Sequence, residues 1–156
     1  MQPLFVALGH SALGHYMQTS VWAFAVTEAI HLLALAVLGG SALVIDLRLL
    51  GVILRKESAH ALSRDIGKLL LGSLVVLILT GTAMLSEEAL KCYYSPAFRW
   101  KMALLAAAVL FYFTLHRRAL VRADQHALTV WSRLAAVTSM LLWLGVGVAG
   151  RAIGFL

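Results

Sequence analysis

The sequence is poor in charge, in cysteine and in proline. Only 13% of its 156 residues are Asp, Glu, Lys or Arg, roughly half the share of a soluble domain. So few charges cannot cover a water-facing surface. The single cysteine, Cys92, excludes an intrachain disulfide and any Cys-based zinc set. Two prolines, Pro3 and Pro96, leave no proline-rich linker. No GxSxG, HExxH, Walker A or GxGxxG pattern occurs, so the familiar signatures of hydrolases, zinc proteases and nucleotide binders are missing. Lys and Arg are also absent from the first 19 residues, which therefore lack the basic start of a secretory signal. The first long apolar run is expected to stay in place as a membrane anchor.

What is abundant is apolar. Hydrophobic residues make up 62% of the chain, and the mean hydropathy is +0.89. One domain facing lipid accounts for this composition. The net charge of +6 comes from basic residues lying between apolar runs. That is the pattern of membrane topology, and no nucleic-acid partner is expected.

A membrane span takes about 20 mainly apolar residues. Four segments qualify: Val21–Leu50, Leu69–Leu85, Met102–Leu115 and Leu134–Phe155. The third reaches working length when extended to Phe98 and His116, with Trp100 at an interface. The expected fold is all-α, an integral membrane four-helix bundle over 20–156 preceded by an interfacial segment over 1–19. Within that segment Pro3–Met17 reads as one short interfacial helix. Glu57–Lys68 and Ala119–Ser132 read as short helical extensions into the cytoplasm.

Arg48, Arg55, Lys56, Arg64, Lys68, Arg117, Arg118, Arg122 and Arg133 fall on one side, against Lys91, Arg99, Lys101 and Arg151 on the other. The excess marks the cytoplasmic side. Both termini are then expected on the outer, periplasmic side of a bacterial inner membrane. Small residues in every span, among them Gly39, Gly40, Gly72, Gly81, Gly145 and Gly147, allow close helix packing or self-association.

Ionisable residues inside a span mark function or a buried pair. Glu28 and His31 are three apart and share one face of the first span. His31 lies near mid-membrane. Lys101 and Arg151 enter from the outer side and are expected to point toward both. The inner end collects Asp46, Arg48 and His116. A neutral imidazole is a ligand for iron or copper, and the two cations suit haem propionates. The structural alternative is an internal ion pair of Glu28 with Lys101 or Arg151.

His116 precedes Arg117 and Arg118 and reads as a solvated boundary residue unless it is a ligand. Counting residues puts it about 15 Å from His31 along the membrane normal, which argues against one flat haem bridging the two. His10 and His15 could complete an outer metal site with His31, though surface positions explain them more simply. His60 and His126 read as solvated. Ser86-Glu87-Glu88 reads as a solvated helix end. Met84, Met102 and Met140 read as packing.

The stretch Val21-Trp22-Ala23-Phe24, Glu28, His31-Leu32-Leu33, Gly40 and Asp46-Leu47-Arg48-Leu49-Leu50-Gly51 resembles a bacterial family of small, uncharacterised four-helix membrane proteins. The resemblance continues through Thr80-Gly81, Tyr93-Tyr94, Pro96-Ala97-Phe98-Arg99, Lys101-Met102, His116 and Gly150-Arg151-Ala152-Ile153. More distantly, the arrangement looks like the four-helix protoporphyrinogen oxidases and copper-resistance D-type proteins. They carry a His in the first span, a Lys opening the third and a His near its end. That likeness implies haem b at His31, Lys101 and His116. Glu28, Asp46-Leu47-Arg48 and Leu38-Gly39-Gly40-Ser41 depart from the oxidase pattern.

The functional expectation is a membrane redox protein. His31 is its first-choice axial ligand, His116 the candidate second, and Lys101 and Arg151 the propionate partners. Glu28 orients His31 or carries a proton, and electrons pass between quinone and an outer partner. The competing expectations are a non-enzymatic accessory subunit of a larger membrane complex, and copper or proton transport through His10, His15 and His31.

Overall fold

The computed structural model describes residues 2–54, 56, 58–87, 89–125 and 129–153. Among these there are helices and no strand. The order is α1 (Gln2–Gly9), α2 (Ala12–Thr19), α3 (Val21–Leu50), α4 (Ala59–Glu87), α5 (Ala89–Tyr94), α6 (Pro96–Phe111), a π turn (Tyr112–His116), α7 (Arg117–Gln125) and α8 (Val130–Ala152). Four helical stretches are long and apolar enough to cross a bilayer: α3, α4, Pro96–Ala123 and α8. Leu33, Leu79, Leu110 and Leu144, one from each, are all more than half exposed. Large side chains so placed require lipid rather than water around them. The chain is a multi-pass membrane protein.

Helix limits follow from capping. Ser20 ends α2 and caps α3, its hydroxyl accepting from the Ala23 amide. Ser95 caps α6 with Pro96 in the first turn, and Thr129 caps α8. At the other end of α3, Gly51 adopts φ 75°. Its amide donates to the Arg48 carbonyl, and that of Val52 donates to Leu47. This is a Schellman closure, which requires a left-handed residue. Gly51→Ala should therefore cost about 1 kcal/mol, read as a lower midpoint in thermal unfolding of the detergent-solubilised protein.

Some expected boundaries change. The interfacial segment is two helices, not one. Ser11 is extended (φ −68°, ψ 159°) and caps α2 through the Gly14 amide, so the helix restarts after Gly9. The stretch from Ala59 to Lys68 is the first part of α4 itself, with no break before the span. Over Ala119–Ser132 the helix does not continue. α7 ends at Gln125 and a new helix is capped by Thr129. Arg55, Glu57, Glu88, His126 and Phe155 lie outside the described residues.

α3 packs on α4 and α8, α8 packs on α6, and α7 meets α4. α1 and α2 rest on the adjoining ends of α4 and α5, where the Gln18 amide donates to the Glu87 carbonyl. Packing is uneven along the bundle. Leu38, Ala42, Ile45, Leu49, Leu70, Leu74, Tyr112, Leu120 and Ala136 form one core. No residue is buried between Val21 and Leu33, between Val75 and Leu85, or between Phe98 and Ala107, and beyond Ser139 α8 buries only Val146. The spans are tight toward α7 and loosely packed over their other halves, beyond which Met17, Ser86, Ala89 and Cys92 form a second buried patch where α1 and α2 rest.

Candidate functional site

The helices place the intramembrane ionisable residues in two separate groups. The first lies in the loosely packed half. His31 projects from α3 onto α4, where Gly81 leaves room: a Cβ at Gly81 would stand 3.3 Å from His31 Cε1. His31 Nδ1 is 2.8 Å from Thr80 Oγ1. The Thr80 hydroxyl also lies 2.7 Å from the Val76 carbonyl of its own helix. A hydroxyl has one proton, and the carbonyl can only accept, so Thr80 donates to Val76 and accepts from His31. In that arrangement the imidazole carries its proton on Nδ1. In the neutral ring this leaves the Nε2 lone pair uncommitted, the arrangement by which a second residue prepares an imidazole ligand.

Lys101, at the start of α6, lies within electrostatic range of His31. It packs against α8 so closely that a Cβ at Gly150 would be 3.6 Å from its Nζ. Arg151 follows Gly150, so both expected cations are at this end. Arg151 is exposed and lines the α3/α8 seam. Glu28 is half-buried one turn before His31 and makes no hydrogen bond or ion pair among the described residues. The expected orienting of His31 by Glu28 is thus replaced: Thr80 does it.

The second group is in the tight half. His116 Nε2 is 2.7 Å from Asp46 Oδ1, and each side chain is 1% exposed. His116 is not the solvated boundary residue expected from its neighbours. The π turn, which adds a residue to the helical repeat, carries it inward at the start of the Arg117–Arg118 pair. Tyr112 stacks on its ring at 5.4 Å and Phe111 lies at 6.3 Å. Ser139 of α8 adjoins the carboxyl. Asp46 Oδ2 and His116 Nδ1 remain buried without a hydrogen-bond partner among the described residues.

The two groups cannot act on one small ligand. From His31 to Asp46, α3 rises about 22 Å. The His116 Nε2 is moreover already engaged by Asp46. His31 and His116 are therefore not brought together as two axial ligands of one haem. His10 and His15 are exposed on the α1–α2 segment. No group of three His, Cys, Asp or Glu capable of holding a metal ion occurs among the described residues, which leaves the expected three-histidine copper relay without an assembled site there. Ser86 is fully buried, its hydroxyl donating to Ala83, so it is not part of a solvated helix end.

The His31 group brings together an imidazole with an uncommitted Nε2, the relief at Gly81 and a nearby cation. The His116 group stands apart from it. Thr80 and the Asp46–His116 contact escaped sequence reading. Thr80 carried only the signal of a small polar residue before Gly81. The buried pair joins positions 70 apart and has no local signature.

A family model described as "Family of unknown function (DUF6644)" matches residues 5–156, and the chain belongs to that family. No curated protein and no solved structure matches it.

Proposed function

We propose that this protein is a membrane redox carrier that binds haem b in the loosely packed half of its bundle and exchanges electrons between membrane quinone and a partner on the outer side. The reading rests on one observation: Thr80 Oγ1 lies 2.8 Å from His31 Nδ1 and 2.7 Å from the Val76 carbonyl, an arrangement in which Thr80 accepts from Nδ1 and Nε2 is left as an available ligand within the membrane. His31 is the protein ligand, and Lys101 and Arg151 meet the propionates. Glu28, half-buried and one turn away, supplies a proton-accepting group beside the site. When bound, haem supplies a one-electron couple. The chain's own work is to fix the imidazole, to supply cations and to keep the site within apolar helices. The distant likeness to haem b membrane proteins supports the same reading at His31 and Lys101.

The excess of basic residues at the α7 end supports a bacterial inner-membrane placement with that end in the cytoplasm. The test is optical. Protein purified from haem-replete cells should show a Soret band that shifts on dithionite reduction and is lost in His31→Ala. His116→Ala should retain a Soret band in whatever fraction folds. A colourless preparation that co-purifies with partner subunits would replace the redox reading with that of an accessory subunit.

A further inference from the structure

Two helices run side by side at the α7 end. A Cβ at Gly67 of α4 would stand 3.4 Å from the Tyr112 hydroxyl of the π turn. Ala59 and Leu120, each eight residues farther from the middle of the span, belong to one buried core. α4 and α7 are therefore packed antiparallel here, and position along either helix gives depth in the bilayer. α7 turns Ala119 and Leu120 inward and its arginines outward.

Four exposed cations share this stretch: Arg64 and Lys68, one turn apart on α4, and Arg117 and Arg118 on α7. Lys68 is level with the Gly67–Tyr112 contact, Arg64 lies about 5 Å farther out and Arg117 and Arg118 about 8 Å, so all four fall in a band about 10 Å deep, close to the thickness of a headgroup layer. Charge in this band is one-sided. By sequence, residues 55–68 and 117–125 hold seven Lys or Arg against Glu57, Asp65 and Asp124. Among the described residues the exposed carboxylate at this end is Asp65, 3.7 Å from its neighbour Arg64, and so exposed a pair binds weakly.

The surface beside these cations is apolar. Leu69 follows Lys68 directly and is 57% exposed, and Val76 and Leu79 continue the exposed face along α4. Gly72 lies among them, exposed, and a Cβ there would meet nothing within 4 Å. An acyl chain can thus approach the α4 backbone just above Lys68. Orientation in the membrane asks only for basic residues near span ends. It does not ask two packed helices to present them at one depth beside a lipid-facing surface.

We propose that this face binds an anionic phospholipid of the leaflet at the α7 end, its phosphate held between Arg64 and Lys68 of α4 and Arg117 and Arg118 of α7, and an acyl chain lying on α4 over Gly72. Phosphate matches the arginine fork. A zwitterionic headgroup adds an ammonium that the excess of cations repels. A soluble polyanion meets the charge alone and leaves the adjoining apolar surface unused.

Tetraoleoyl cardiolipin, which carries two phosphates, should bind the detergent-solubilised protein saturably in native mass spectrometry and raise its unfolding midpoint, as a ligand of the folded state must. Dioleoyl phosphatidylcholine should do neither. Arg117→Gln/Arg118→Gln and Arg64→Gln/Lys68→Gln should each weaken cardiolipin about tenfold or more, since each removes two cations at headgroup depth. All four side chains are exposed, so both variants should fold; if one does not, the other decides. Lys91→Gln/Arg99→Gln removes the same charge at the opposite end and should leave binding unchanged, as should His31→Ala, so this site stands or falls apart from haem. Equal binding of phosphatidylcholine, or equal weakening by Lys91→Gln/Arg99→Gln, overturns the proposal. So does a midpoint rise with inorganic pyrophosphate or poly-glutamate as large as with cardiolipin, which would assign the face to a soluble anion or an acidic polypeptide.

Discussion

Asp46→Ala should destabilise the protein by about 3 kcal/mol, the largest loss expected from any single substitution in the bundle. His116 would then keep its place against Tyr112 and Phe111 with both ring nitrogens unsatisfied. Lipid offers neither of them water, and the α7 end is packed too tightly for the ring to swing out. The carboxylate space would be left as a small void beside Ile45 and Leu49, both wholly buried neighbours on α3. Chemical unfolding in mixed micelles, followed by helical circular dichroism, reads the loss. A variant within 0.5 kcal/mol of the parent would show that the contact carries little energy.

The double replacement Asp46→Leu/His116→Leu separates two meanings of that loss. Buried polar pairs exchanged whole for apolar side chains are often neutral or stabilising. Here the double variant should recover most of what the single one loses, a strong non-additivity between positions in contact. If it does, the pair adds nothing to folding that a well-packed apolar pair would not.

The sequence carried the spans in their simplest form, because lipid imposes long apolar runs with no finer pattern. α3 matches its expected limits from Val21 to Leu50, since Ser20 and Gly51 are both written as caps. Limits set by the same chemistry within a polar stretch, such as the restart at Ser11, were harder to see, because Gly9 and Gly14 weaken a helix without saying where it breaks. Positions of intramembrane charges were legible, and their partners were not. Glu28 and His31 share a face as spacing requires, yet the atom that fixes the imidazole belongs to another helix. His116 looked solvated beside two arginines. The π turn that rotates it inward leaves no mark in the composition of Tyr112-Phe113-Thr114-Leu115-His116. Pairwise contacts between helices depend on register and rotation, which apolar runs do not encode.

Thr80→Val should lower haem occupancy 10- to 100-fold, the range expected when a ligating imidazole loses the acceptor for its other ring N–H. Valine matches threonine in shape, so α4 keeps its packing and the hydroxyl alone is removed. The backbone of Val76 keeps its helical bond, so only His31 loses a partner. Its Nδ1 proton would then point into apolar surroundings, and the ring would be free to take the other tautomer or turn about its side-chain bonds. Either response removes the Nε2 lone pair from its fixed direction. Thr80→Ser restores the oxygen and should restore binding, which a purely steric role for the methyl group would not allow. The measurement is haem titration into each purified variant, read as Soret absorbance per protein, beside an unfolding midpoint expected to fall only slightly. Equal haem affinity in Thr80→Val and the parent would remove the reason for treating His31 as a prepared ligand.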